Sequence, residues 1–178
     1  MYLVKSGKIV LHSLRQNLNL PLMTTLFGVH ESTVDAKGRV MLPGPFKKQL
    51  ATVLDKGFVM RISMDHPCLE LYPLETWKDI SSDLRKTNRF TKEDKDWVRM
   101  FSFGVRSTEL DSNARFLISK EQMESVGVKK DIVIASQNDY LEIWDRKAYY
   151  KFIDDNRKNY ELLTQKVMGR IKQEGDGK

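Results

Sequence analysis

A chain of 178 residues, 40% of them hydrophobic, is long enough for one domain of ordinary size or for two small units around a shared core. A mean hydropathy of -0.48, with no unbroken apolar run near the roughly twenty residues a bilayer demands, leaves no room for a membrane-spanning helix and predicts a soluble protein. One cysteine, Cys68, cannot form an internal disulfide, and with only three scattered histidines it cannot build a zinc finger or ribbon; a reducing cytoplasm and no metal or other cofactor are expected. The formal net charge of +6 favours polyanionic partners only weakly, so the placement of the charge carries more than its sum.

In chain order, residues 1–22 form an N-terminal extension with Lys5, Lys8 and Arg15 and no acidic residue, which is half of the net charge. Polar residues from Gly7 and Lys8 to Gln16 and Asn17 interrupt every apolar stretch, so the segment is not a secretory signal. It reads as a disordered arm or as the product of a start assigned too far upstream, with Met23 as the alternative first residue.

The chain then repeats itself. Thr33, Val34, Asp35, Ala36, Lys37, Gly38, Arg39, Val40, Met41 and Leu42 are answered by Glu109, Leu110, Asp111, Ser112, Asn113, Ala114, Arg115, Phe116, Leu117 and Ile118. Each copy continues through an apolar run (Phe58 to Ile62; Ile132 to Ala135), a polar turn (Asp65 to Pro67; Gln137 to Asp139) and a second apolar run. Those second runs are Leu69, Glu70, Leu71, Tyr72 in one copy and Leu141, Glu142, Ile143, Trp144 in the other. One unit therefore reads as strand, tight turn, strand, short helix, strand, hairpin turn, strand, longer helix. The first repeat is placed at 26–90, a connecting helix at 91–104, the second repeat at 105–166 and a polar tail at 167–178, frayed from Gln173.

Helical faces support that division. Phe46, Leu50 and Val53 align after a proline-containing start, and Met123 with Val126 after Ser119, where Ser119 and Gln122 form a capping box and Gly127 ends the helix. Trp77, Ile80 and Leu84 form another stripe. Thr91 with Asp94 opens a helix bearing Trp97, Val98 and Phe101, and Phe152, Ile153, Tyr160 and Leu163 predict a C-terminal helix.

The doubled Asp-x-x-x-Arg motif, together with His66, Pro67, Cys68, Leu69, Glu70, Leu71, Tyr72 and Pro73 and with Leu141, Glu142, Ile143 and Trp144, resembles the MraZ family of bacterial transcriptional regulators, over roughly Leu26 to Leu163. The resemblance implies an α+β fold of two tandem swapped-hairpin repeats, similar to AbrB and SpoVT domains, forming an intrachain pseudo-dimeric β-barrel with peripheral helices. It further implies a homo-oligomeric ring that binds short direct repeats of double-stranded promoter DNA, a nucleoid-associated location, and repression of its own operon in the division and cell wall gene cluster. A ring-forming scaffold or a nucleoid protein with non-specific DNA binding is the alternative.

The residues themselves carry a matching chemistry. Gly38 permits a turn that other residues resist, Lys37 offers a mobile cation, and Arg39 offers a planar fork for guanine or phosphate. Asp35, an acceptor only, is expected to fix the turn through backbone N–H groups or to hold an arginine in position, and Asp111 is its counterpart. The same five residues can also be read as an ion pair and turn that lock a hairpin and touch no DNA. The second copy departs from the family pattern: Ala114 replaces the usual glycine, and Ser119 and Lys120 replace the proline start of the next helix. Arg115 then either contacts DNA or is structural, and Lys120 is a compensating phosphate binder.

Other chemistry is thin. His66, Pro67 and Cys68 are neighbours around a proline and read as a hairpin turn with a buried cysteine rather than a nucleophile or metal site. Glu70 and Glu142 are expected at a subunit interface or a barrel end, and Trp77, Trp97 and Trp144 in core or interface rather than stacking on bases. The mixed charges of Asp83 to Arg99 read as a solvated helix pair. With no glycine-rich phosphate loop and no nucleophile elbow, neither an enzyme nor a small-molecule substrate is expected.

Overall fold

Strand pairing in this chain forms one hairpin within each repeat and otherwise joins one repeat to the other. The computed structural model describes residues 25–175; the readings of residues 1–22 and of the last residues of the tail lie outside the described residues. In the first repeat, β1 (Val29–Thr33) and β2 (Arg39–Met41) flank a tight turn. They are followed by α1 (Gly44–Gln49), a 3-10 turn at Leu54–Lys56, β3 (Phe58–Ile62), β4 (Cys68–Pro73) and α2 (Leu74–Leu84). Helix α3 (Lys92–Phe101) leads to β5 (Arg106–Thr108), β6 (Arg115–Leu117), α4 (Lys120–Ser125), β7 (Asp131–Gln137) and β8 (Tyr140–Asp145), and the chain ends in α5 (Arg146–Arg157) and α6 (Tyr160–Gly175).

Local chemistry sets these boundaries. Pro43 and Pro73 hold extended backbone at the ends of strands and hand the chain to helices, where a missing N–H costs nothing. In the second repeat side-chain caps do the same work. Ser119 and Gln122 form the expected capping box, and the Asp145 carboxylate accepts from the N–H groups of Lys147 and Ala148. At Thr91 the helix starts as expected but the cap differs, because the Thr91 hydroxyl donates back to the Asn88 carbonyl while Asp94 accepts from the Asn88 N–H.

A six-stranded antiparallel sheet runs in the order β1-β7-β8-β4-β3-β5, which reads the same from either end when the repeats are exchanged. The first strand of each repeat pairs with the third strand of the other, β1 with β7 and β5 with β3, and the two fourth strands meet at the centre. The second strands leave the sheet and pair with each other, as a ribbon in which Arg39 faces Leu117, Val40 faces Phe116 and Met41 faces Arg115. One face of the sheet, with Phe58, Met60, Leu69, Leu71, Ile132, Ile134, Leu141 and Ile143, shares a single apolar core with Val40, Phe116, Leu42, Ile118 and Phe46. Both repeats supply that core, so neither buries its apolar face alone.

The closed barrel expected from the resemblance is not formed. The sheet ends at β1 and β5, and β2 and β6 are three residues long before Pro43 and Ser119 turn the chain into helices, too short to bridge those edges. The C-terminal helix is two helices: Phe152 and Ile153 are half-buried in α5, whereas Tyr160 and Leu163 belong to α6 and are exposed. The segment read as a polar tail from residue 167 continues α6 as far as Gly175.

The opposite face of the sheet holds Glu70 and Glu142, and here the expectation of an interface or barrel end fails. The two are register partners at the centre of the sheet, both buried within the chain. Each has a donor on its own strand: the Tyr72 hydroxyl donates to Glu70 at 2.6 Å and the Trp144 indole N–H to Glu142 at 2.9 Å. Arg61 Nε lies 3.0 Å from Glu70, and its guanidinium sits 4.2 Å from the centre of the Phe101 ring of α3. Strand alternation puts the glutamates on this face and the apolar residues on the other. Burial and the neighbouring carboxylates raise the Tyr72 and Tyr140 hydroxyls above the ordinary tyrosine range, so both stay protonated. Trp144 is buried, and Trp77 of α2 stacks on Phe101 of α3 and so joins the two helices, whereas Trp97 stacks on Phe101 within α3 and is exposed.

Candidate nucleic-acid interface

The two Asp-x-x-x-Arg segments form the same turn. In the first, one Asp35 oxygen accepts from the N–H groups of Lys37 (2.8 Å) and Arg39 (2.9 Å), and the other accepts from Arg39 Nε at 2.8 Å with Arg39 Nη2 at 2.7 Å. In the second, Asp111 takes the N–H groups of Asn113 (2.9 Å) and Arg115 (3.0 Å) on one oxygen, and Arg115 Nε and Nη2, each at 2.8 Å, on the other. Both roles expected of Asp35, fixing the turn and holding the arginine, are therefore filled at once. The Arg39 N–H, then its guanidinium, with help from the Lys37 N–H, hold the Asp35 carboxyl down at about 2. Desolvation pushes the Asp111 carboxyl up, but the N–H groups of Arg115 and Asn113 and the Arg115 side chain outweigh it and leave it below the usual range.

The turn requires a left-handed residue. Gly38 supplies it with φ +79°, and Ala114 takes the same position at φ 57°. The replacement of glycine in the second copy thus keeps the turn and accepts a strained backbone. At Gly38 the space is also closed, since a Cβ there would lie 2.6 Å from the Ile118 carbonyl oxygen. The loops are locked together through the ribbon: the Ile118 N–H donates to Gly38 and the Leu42 N–H to Ala114.

A guanidinium has five N–H donors, and two of those on Arg39 point at Asp35. Three remain on a side chain that is one-third exposed and whose rotamer is fixed by the carboxylate. Arg115 has the same arrangement. Lys37 is exposed and, among the described residues, has no acidic partner; its counterpart is the neutral Asn113. Lys120 opens α4, two residues past the Ile118 that bonds Gly38, and is exposed with Glu124 at 3.7 Å. The structure thus brings Lys37, Gly38, Arg39, Arg115 and Lys120 to the ribbon formed by β2 and β6.

Two residues of this surface were not singled out by the sequence. Met41 and Leu117 are each more than half exposed, on the same side of the ribbon as Arg39 and Arg115, while Val40 and Phe116 between them are fully buried. Strand alternation starting at Arg39 is the signal that finds them. Read as a plain apolar run, Phe116, Leu117 and Ile118 conceal it.

The other sequence candidates lie elsewhere. The His66 ring packs 4.9 Å from Phe152 and 5.5 Å from Trp144, and Cys68 is fully buried at the start of β4. The charges of Asp83 to Arg99 pair locally, Lys86 with Asp83 and both Lys92 and Arg99 with Asp96. Among the described residues no helix is long and apolar enough to cross a membrane.

Fold and site together define a class: a tandem-repeat α+β protein whose halves share one antiparallel sheet and present paired Asp/Arg-braced hairpins on a common ribbon. Comparison with known proteins makes the class specific. The family model of the MraZ proteins matches the chain twice, over residues 25–100 and 100–171, and the chain belongs to the MraZ family. It is 43% identical over 149 residues to a protein of Flavobacterium psychrophilum named transcriptional regulator MraZ, covering 84% of this chain and 95% of that one. Proteins of the same name from Christiangramia forsetii and Cytophaga hutchinsonii are 40% and 34% identical, each over 83% of this chain and over 95% and 97% of their own.

Proposed function

We propose that this chain is a transcriptional regulator that binds double-stranded DNA sequence-specifically through the β2–β6 ribbon and its two turns. The observation that carries the reading is the braced arginine. Asp35 fixes the direction of Arg39 and leaves it the two parallel donors that a guanine edge accepts in the major groove, and Lys37 beside it is free for phosphate. Backbone closure by Gly38 lets the turn approach the duplex. Arg115 supplies the second turn's contact, and Lys120, just past the Ile118 that bonds Gly38, supplies a phosphate contact. Asp35 and Asp111 position the arginines and touch no DNA.

The finer reading follows the family. The chain assembles with copies of itself into a ring, and the ribbons of neighbouring protomers, each led by its first-repeat turn, enter successive major grooves on one side of the duplex, so that weak single contacts add through effective concentration. That register requires direct repeats spaced near one helical turn, about 10 bp. The natural target is the DNA upstream of its own gene, at the head of the division and cell wall cluster, with repression as the outcome in the cytoplasmic nucleoid. Helix α6 supports self-association, since it exposes Tyr160, Leu163, Val167, Met168 and Ile171.

Titration of the protein against duplexes tiling the region upstream of its own gene, beside scrambled duplexes and at two salt concentrations, tests the reading. Tight binding to a native duplex, lost in Arg39→Ala, is expected. Equal, salt-sensitive binding to native and scrambled DNA would replace it with the non-specific nucleoid scaffold.

A further inference from the structure

Folding does not account for the outer face of the β2–β6 ribbon. Its inner residues, Val40 and Phe116, are fully buried and do the core work, while Met41 and Leu117 turn outward, 58% and 54% exposed. The register sets each apolar side chain directly across from an arginine, Met41 from Arg115 and Leu117 from Arg39. The outer face is thus a two-by-two array in which cationic and apolar residues alternate both along and across the strands.

The polarity of the array selects its occupant. The carboxylates nearby, Asp35 and Asp111, are turned into their own hairpins, each taking two backbone N–H groups and one guanidinium. What faces outward is therefore N–H donors and methyl or thioether carbon, with few free acceptors. The major groove of DNA presents the complement: guanine N7 and O6 as acceptors, and the thymine C5-methyl as its apolar group. A two-stranded ribbon fits that groove.

We propose that Met41 and Leu117 determine sequence specificity by packing on thymine methyl groups that neighbour the guanines taken by Arg39 and Arg115. The proposal rests on the DNA-binding reading above and deepens it, assigning the ribbon face, besides the turns, to base recognition. Diagonal positions on paired strands lie about 7 to 8 Å apart. Base pairs stack at roughly 3.4 Å, so the two methyl groups stand about two steps apart on the duplex. Met41 has the longer, more adaptable side chain, and its site tolerates displacement of the methyl better than that of Leu117.

The test removes the methyl from the DNA and its partner from the protein in one cycle. The duplex bound most tightly among those tiling the region upstream of the chain's own gene is remade with each thymine in turn replaced by deoxyuridine, and wild type, Met41→Ala, Leu117→Ala and Arg39→Ala are titrated against the set. Wild type is expected to lose about fourfold in affinity at two thymines, the partition of one buried methyl group each. Met41→Ala loses at least as much on the native duplex and no longer distinguishes thymine from uracil at one of those positions; Leu117→Ala does the same at the other. The proposal is overturned if wild type is indifferent to every replacement, or if both variants keep the full wild-type discrimination. A variant that binds weakly while wild type ignores uracil also overturns it, and assigns the side chain to a wedge or to the protein's own packing. The parent reading is judged separately: if wild type binds its own and scrambled duplexes alike, both fall, whereas specific binding abolished by Arg39→Ala with no effect of uracil removes the thymine contacts alone.

Discussion

The turns at Asp35 and Asp111 have the same hydrogen bonds to within about a tenth of an ångström, yet differ at all three positions between the aspartate and the arginine, alanine to serine, lysine to asparagine and glycine to alanine. The aspartate and the arginine therefore make the turn. The residues between them set its strain and its charge. Gly38 sits at positive φ without penalty, whereas Ala114 pays in backbone energy for the same shape. Lys37 adds a cation to one loop that Asn113 withholds from the other.

The sharpest break of this equivalence is functional. Arg39→Ala is expected to cost about 1 to 3 kcal/mol of DNA-binding free energy per engaged loop and to relax sequence preference. Arg115→Ala is expected to match it in the same titration, because its guanidinium is held identically; a loss confined to Arg39 would make the second turn structural. Next come the left-handed positions. Gly38→Ala puts a Cβ against the Ile118 carbonyl and adds an αL alanine, so thermal unfolding should show a loss of about 1 to 2 kcal/mol, a fall of roughly 2 to 8 °C in Tm. The reverse change, Ala114→Gly, relieves strain but frees the unfolded chain, and should move stability by less than about 0.5 kcal/mol.

Charge comes third. Lys37→Ala should weaken binding evenly across sequences and flatten the salt dependence by about one phosphate contact, and Asn113→Lys should steepen it by about the same if the second turn faces DNA. The smallest effect is on acid stability. The folded-state value of Asp35 lies below its ordinary 3.8, so its contribution is complete above that value and is lost as pH falls toward about 2. Asp35→Asn should remove that part of the pH dependence of unfolding. Asp111→Asn should do so over a similar acid range, since its carboxyl is also lowered.

Much of this molecule was legible along the chain. The duplicated order of elements, the capping box at Ser119, the stop at Gly127 and the buried Cys68 all follow from chemistry within a few residues. The braced arginine was legible as one of two readings, since Asp35 and Arg39 lie close enough in sequence to meet in a single turn. Less was visible where distant strands decide. Glu70 and Glu142 look like interface residues in isolation, and only the pairing of β4 with β8 buries them face to face with Tyr72, Trp144 and Arg61 as partners. Met41 and Leu117 look like core residues until the ribbon's other face is found to be full.

The repeat, the local turns with their arginines, and the family can all be read along the chain, because each depends on residues at fixed short spacing. Tertiary structure decided the rest. It left the sheet open where a barrel was expected, since three-residue strands ending at Pro43 and Ser119 pair only with each other. It set the two turns at opposite ends of one short ribbon because β2 and β6, whose equivalent residues such as Arg39 and Arg115 are 76 positions apart in the chain, are brought together antiparallel by a core that neither repeat can close alone.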